Sequence, residues 1–114
     1  GPHVSVFAPH SLPELSASVL ACGYFFGTEA LTNAAKHAPG APVSVLVTSD
    51  DSLRITVVDE GPGGAQVVPG RGLAGMAERL AAFGGEMSLS SPPGGPTRVA
   101  GSIPLLLDRG QPGV

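Results

Sequence analysis

Val43-Ser44-Val45-Leu46-Val47-Thr48-Ser49-Asp50-Asp51-Ser52-Leu53-Arg54-Ile55-Thr56-Val57-Val58-Asp59 is the stretch that decides the fold. Val43, Val45 and Val47 alternate with Ser44, Leu46 and Thr48, and Leu53, Ile55 and Val57 alternate with Arg54, Thr56 and Val58. Two runs of period two, separated by polar Ser49 to Ser52, predict a hairpin with one apolar face. Asp59 shares the parity of Leu53, Ile55 and Val57, so its carboxylate emerges on the core face. A carboxylate there needs a donor, because burial without one costs several kcal/mol.

Working outward, Val4 to Phe7 reads as a short strand, followed by the turn-rich Pro9 to Pro13. A long helical pattern then runs to Ala38, with Ser11 as its expected N-cap, Glu14 three residues on, and Pro39-Gly40 as its stop. Beyond Asp59 a glycine- and proline-rich stretch reaches Gly72. Leu73 to Phe83 then carries apolar residues at helical spacing and is closed by Gly84-Gly85. Met87 to Ser90 and Thr97 to Ile103 form a second hairpin around Pro92-Pro93-Gly94-Gly95-Pro96, and from Pro104 on the sequence reads as a tail. Hairpin-joined strands with two helices to cover one face predict a two-layer α+β sandwich, not a doubly wound parallel sheet.

The chain's 114 residues and 11.3 kDa suit one small domain, and 42% hydrophobic residues supply a core. A net charge of −3 with only six Lys plus Arg argues against a nucleic-acid partner. The single Cys22 excludes an internal disulfide and a cysteine metal site. No run approaches the ~20 apolar residues that span a bilayer, so the expectation is a domain without direct membrane contact, in the cytoplasm, whose parent is anchored or not. Gly1-Pro2-His3 reads as a tag remnant, with the domain at 4–107 and a tail at 108–114, all excised from a larger parent.

Two segments carry chemistry. On the first helix Glu29, Thr32, Asn33, Lys36 and His37 fall within an arc of about 140°, with Ala30, Ala34, Ala38, Leu31 and Ala35 on the other side. Phe25 and Phe26 are expected to project toward the polar arc, which sets it apart from a plain solvated face. The arc offers a carboxylate to orient a proton, an amide oxygen for a hard cation and an ammonium for phosphate. His37 has no second His or Cys at ligand spacing, and His3 and His10 carry no evident role.

The second is Asp59-Glu60-Gly61-Pro62-Gly63, in which the carboxylate could take the amino group of an adenine while Gly61 and Gly63 let backbone approach a flat ring. Thr97 shares parity with Val99, Gly101 and Ile103, so its hydroxyl can face the same pocket. Gly70-Arg71-Gly72-Leu73-Ala74-Gly75 has the form of a dinucleotide fingerprint, but no parallel βαβ unit surrounds it. What remains is a glycine approach to a helix N-terminus, which attracts phosphate. Read singly, each motif has a bland explanation: a solvated face, an Asp-Gly turn, a Thr at a strand start.

In this order the pieces resemble the catalytic ATP-binding domain of sensor histidine kinases, within the superfamily that includes gyrase B and the heat-shock chaperone ATPases. Glu29 to Ala38 is similar to the N box, Asp59-x-Gly61-x-Gly63 to the G1 box, Gly70-x-Gly72-Leu73 to the G2 box, and Thr97 to the threonine before the last strand. Lys36-His37-Ala38 and Gly75-Met76-x-Glu78-Arg79-Leu80 further resemble the nitrate-sensor-like kinases.

The resemblance implies a mixed sheet covered on one face by helices, with Mg²⁺ and ATP as cofactors. It implies that Asp59 binds the adenine amino group, with Thr97 nearby through water, that Asn33 ligates Mg²⁺, and that Lys36 and His37 contact phosphates. Glu29 would be the general base or proton-orienting group, and Gly70, Gly72 and the amides from Leu73 on would hold the triphosphate. Its partners would be the parent's own dimerisation and phosphoacceptor domain and a response regulator. Two departures stand out: the lid between the G1 and G2 boxes is only Gly64 to Pro69, and no histidine sits in a phosphoacceptor context. The chain is therefore expected to autophosphorylate little. Alternatives are a serine kinase of the anti-sigma-factor type and a degenerate nucleotide-binding or docking module.

Overall fold

The computed structural model describes residues 4–105. Its elements, in chain order, are β1 (Val4–Phe7), α1 (Ala17–His37), β2 (Val43–Ser49), β3 (Ser52–Asp59), α2 (Gly72–Ala82), β4 (Glu86–Ser90) and β5 (Thr97–Pro104). The expected tag remnant, Gly1 to His3, and tail, Asp108 to Val114, lie outside the described residues, as does the expected domain end at position 107.

The strands form one sheet in the order β1-β2-β3-β5-β4. β1 runs parallel to β2 and every other pair is antiparallel, so the sheet is mixed. Two of the antiparallel pairs are the expected hairpins, β2–β3 and β4–β5, while β3 and β5 meet in the middle. Alternation sets the register: Val45 pairs with Val57, which pairs in turn with Val99, and all three are buried. Both helices lie on that face, α1 against α2 and β3, α2 also against β4 and β5. Arg54, Thr56, Arg98 and Ser102 have the opposite parity and belong to the uncovered face.

The core forms where α1 crosses the sheet. Val19, Cys22, Phe26, Ala30 and Ala34 recur at helical spacing and are buried, together with Leu53, Ile55, Val57, Val99 and Ile103 from the strands and Leu73, Met76 and Leu80 from α2. Phe26 is among the largest fully buried side chains, and burying a Phe side chain contributes ~1.5–3 kcal/mol. Its ring lies over Gly101, where a Cβ would come within 2.8 Å of Phe26 Cε2. The strand carries a glycine there because the ring takes the side chain's space. Burial pushes the Cys22 thiol up from its ordinary value.

The structure corrects four expectations. The cap of α1 is Ser16, not Ser11: its hydroxyl accepts the Val19 N–H at 3.2 Å. Pro13 disfavours helical geometry at Leu12, the first residue after a Ser11 cap. Pro104 does not begin a tail but ends β5 opposite Ser52, and Leu105 is buried with its N–H on the Asp51 carbonyl at 2.9 Å. Phe25 and Phe26 do not share a side. Phe26 enters the core, while half-buried Phe25 lies beneath Arg79, whose guanidinium is 4.5 Å from the ring centroid. The polar arc of α1 consequently borders the buried line instead of opposing it, and Ala35 is exposed. Among the described residues no helix is long and apolar enough to cross a membrane.

Candidate functional site

A cavity is lined jointly by α1, the ends of β3 and β5, and the segment leading to α2. This cleft measures about 520 Å³. Its floor is apolar, made by Ala30 and Ala34 of α1, by Ala38 at its C-cap and by Val57 and Val99 of the central strands. Asp59 and Thr97 stand at one end of that floor, paired directly across the β3–β5 ladder. Lys36, His37 and Arg71, all exposed, surround the mouth. A flat apolar slot with an acceptor inside and cations outside suits a ligand with a hydrogen-bond-donating ring and an anionic tail.

Asp59 is only 8% exposed. Its Oδ1 accepts the Gly61 N–H at 3.0 Å, and among the described residues no protein donor reaches Oδ2. One carboxylate oxygen is thus spent on shaping the turn and the other is free for a ligand. Gly61 packs on the end of α1, where a Cβ would run into that of Ala38. Gly63 has φ +71°, and a Cβ there would overlap the Pro92 carbonyl oxygen. The glycines of this turn therefore serve close packing against the helix and the β4–β5 loop as well as access to the cleft.

On the opposite wall the start of α2 abuts α1. A Cβ on Gly72 would lie 3.6 Å from both Asn33 Nδ2 and Glu29 Oε1, so the two side chains converge on the first residue of the helix. Arg71 occupies the α2 cap position without a side-chain hydrogen bond to the first turn. The leading amides of α2 thus have no side-chain cap. Gly70, with φ +81°, makes the turn into α2 but does not line the cleft.

Of the residues singled out from sequence, Asn33, Lys36, His37, Asp59, Gly63, Gly72, Leu73 and Thr97 line one cleft. Glu29 borders it through Gly72, Gly61 lies under Asp59, and Gly70 is set back. Sequence reasoning missed Ser91. Its hydroxyl accepts the Ala65 N–H at 2.8 Å and lies 2.6 Å from Thr97 Oγ1. Ser91 opens a Ser-Pro-Pro-Gly-Gly-Pro run whose composition signals a turn and nothing else.

The donor set bears on a metal. Asn33 Nδ2 is buried without a hydrogen-bond partner; as a donor it calls for an acceptor such as a phosphate oxygen, and leaves Oδ1 as the amide atom that a cation could take. Among the described residues no three His, Cys, Asp or Glu side chains gather into a cation cage. A single amide oxygen beside a helix N-terminus matches the habit of Mg²⁺, which takes one or two protein ligands and fills the rest of its shell with phosphate and water.

These features, a mixed sheet with helices on one face and an apolar-floored, cation-rimmed cleft with an acceptor at one end, define a nucleotide-binding ATPase domain. The chain belongs to the histidine kinase-, DNA gyrase B- and HSP90-like ATPase family, whose profile matches residues 27–107. It is 33% identical over 79 residues to the sensor histidine kinase YxjM of Bacillus subtilis, and 38% identical over 64 residues to the sensor histidine kinase LnrJ of the same organism. Those stretches are 68% and 55% of this chain but only 20% and 16% of the two relatives. The histidine kinase domain of the Erythrobacter litoralis EL346 blue-light activated kinase superposes with a TM-score of 0.73 at 24% identity, covering 95% of this chain and 54% of that one. Full-length ShkA in complex with AMPPNP superposes at 0.69 with 22% identity, over 91% of this chain and 26% of that one. Both likenesses are of fold.

Proposed function

We propose that this chain is the magnesium-ATP-binding catalytic domain of a two-component sensor histidine kinase, which transfers the γ-phosphoryl group to a histidine on its parent's dimerisation domain for relay to a response regulator. The observation that carries it is the free carboxylate oxygen of Asp59 at the end of an apolar slot whose mouth is rimmed by Lys36, His37 and Arg71.

In this reading Asp59 Oδ2 accepts from the amino group of adenine, and Val57, Val99 and the alanines of α1 sandwich the ring. Lys36, His37 and the α2 amides from Gly72 hold the triphosphate, aided by the positive end of the helix dipole. Gly70 supplies the turn that aims those amides. Asn33 holds Mg²⁺, which when bound neutralises charge on the phosphates. Glu29, beside Asn33 and Gly72, orients the attacking imidazole and takes its proton. Phosphoryl transfer needs mainly positioning and charge neutralisation, and this set provides both. The parent acts in the cytoplasm, anchored to the plasma membrane or not.

The test is to incubate the chain, alone and within its full-length parent, with γ-phosphate-labelled ATP and Mg²⁺. Acid-labile label on the parent with little on the isolated chain is expected. Acid-stable label would point to serine transfer, and ATP binding without any label to a nucleotide-sensing module; either overturns the histidine kinase reading.

A further inference from the structure

The lid, Gly64 to Pro69, is tied to the body of the domain at its root. Ser91, the residue that follows β4, accepts the Gly64 N–H on its carbonyl at 2.9 Å and the Ala65 N–H on its hydroxyl at 2.8 Å. The same hydroxyl lies 2.6 Å from Thr97 Oγ1, and Thr97 is buried at the start of β5, inside the sheet. Whichever of the two hydroxyls gives the proton, the contact seats Ser91 Oγ against the sheet. Past Ala65 the ties end. Among the described residues the N–H groups of Gln66, Val67 and Val68 meet no protein acceptor, and all three residues are exposed. The next bond, from the Arg71 N–H to the Val68 carbonyl at 3.0 Å, belongs to the turn into α2.

We propose that Ser91 is a positioning residue of the nucleotide site: its hydroxyl, acting through the Ala65 N–H, fixes the point at which the lid leaves the sheet and thereby sets how long a bound nucleotide is retained. This inference rests on the nucleotide reading of the cleft and adds to it the anchor of one wall. Ser91 itself does not line the cleft, so its effect on a ligand must pass through the residues it holds. Ala65 does line it, and packs on the core as well. Without the Ser91 hydroxyl the hinge moves back to Gly64, a glycine at φ +82° with open space where a Cβ would stand. Such a residue is a free pivot. Ala65 then swings with the lid, and a ligand has one more residue to order before it is enclosed. The loss falls on escape, because an untethered lid still admits ligand but no longer detains it.

Stopped-flow binding of a fluorescent ATP analogue with Mg²⁺ tests this on the chain as wild type, Ser91→Ala, Ser91→Thr and Ser16→Ala. Ser91→Ala is expected to raise the dissociation rate roughly three- to tenfold, the worth of about one hydrogen bond, and to leave the association rate near that of wild type. Ser91→Thr keeps a hydroxyl and releases nucleotide as wild type does. Ser16→Ala also loses one side-chain hydrogen bond, but at the end of α1 away from the cleft, and leaves both rates unchanged. Release at the wild-type rate in Ser91→Ala, equal acceleration in Ser16→Ala, or no rescue in Ser91→Thr overturns the tether while leaving the ATP site standing. A wild type that binds no nucleotide overturns the nucleotide reading and the tether's role with it. Should Ser91→Ala fail to fold, amide hydrogen exchange of the wild type, followed residue by residue by NMR, carries the test. The Ala65 amide is expected to be protected like that of Gly64 while Gln66 and Val67 exchange fast; an Ala65 amide as fast as that of Gln66 overturns the proposal.

Discussion

Replacing Asp59 by asparagine changes one atom that matters. Oδ1 remains an oxygen and keeps the Gly61 N–H at 3.0 Å, so the turn after β3 is preserved. The other oxygen becomes an NH₂ group, which cannot accept from an amino donor and confronts it with two protons. A hydrogen bond to a charged acceptor contributes roughly 1.5–3 kcal/mol, so Asp59→Asn is expected to weaken ATP binding roughly 10- to 150-fold. Stability should hold or rise, because a carboxylate only 8% exposed no longer has to be kept charged. Asp59→Ala makes the contrast: it also strands the Gly61 N–H and should lower stability by ~1–3 kcal/mol. Titration calorimetry gives the affinities and urea unfolding the stabilities. Undiminished ATP affinity in Asp59→Asn, or a loss of stability in it equal to that of Asp59→Ala, refutes the division of labour between the two oxygens.

Three further outcomes are expected. Gly63→Ala places a Cβ on the Pro92 carbonyl at a φ of +71° and should destabilise the domain by more than about 1 kcal/mol by urea unfolding, with ATP affinity falling alongside. Ser16→Ala removes the α1 cap and should cost ~0.5–2 kcal/mol by the same measurement, while Ser11→Ala should cost almost nothing; the reverse order would restore the longer helix. Cys22, buried and with its thiol pKa raised from 9.0, should resist alkylation in the native protein and react on unfolding. The sign of its linkage follows: its contribution to stability is whole below pH 9.0 and is lost as pH climbs from there through the raised folded value, so Cys22→Ala should flatten the alkaline limb of a stability-pH profile.

The sheet was legible because period two tolerates no ambiguity. A slip of one residue in β3 would have exposed Leu53, Ile55 and Val57 together, so their parity committed Asp59 to the interior, where it is found. The helix was less legible because its period spreads neighbouring residues over wide angles. Phe25 and Phe26 differ by 100°, and which of them meets the sheet depends on how α1 is rotated, which Gly101 settles by leaving room for the Phe26 ring. Ser11 and Ser16 both have the chemistry of a cap, and only chain geometry at Pro13 divides them. Pro104 read as punctuation, yet a proline at the last residue of a strand forfeits little of the ladder.

The site divides along the same line. Asn33, Lys36 and His37 follow from helical phase, and Asp59 and Thr97 from strand parity, so one period each brings them to a common cleft. Ser91 follows from neither, because it depends on two loops closing on each other: Gly64 donates its N–H to the Ser91 carbonyl at 2.9 Å and Gly94 to the Pro62 carbonyl at 2.8 Å. Such loop-to-loop pairing has no repeat to betray it, and its glycines look like those of any turn. Yet this contact carries the Ser91 hydroxyl to within 2.6 Å of Thr97 Oγ1, at the edge of the cleft. Periodic structure therefore chooses which polar groups face the cleft, while the aperiodic loops choose which side chains stand behind them.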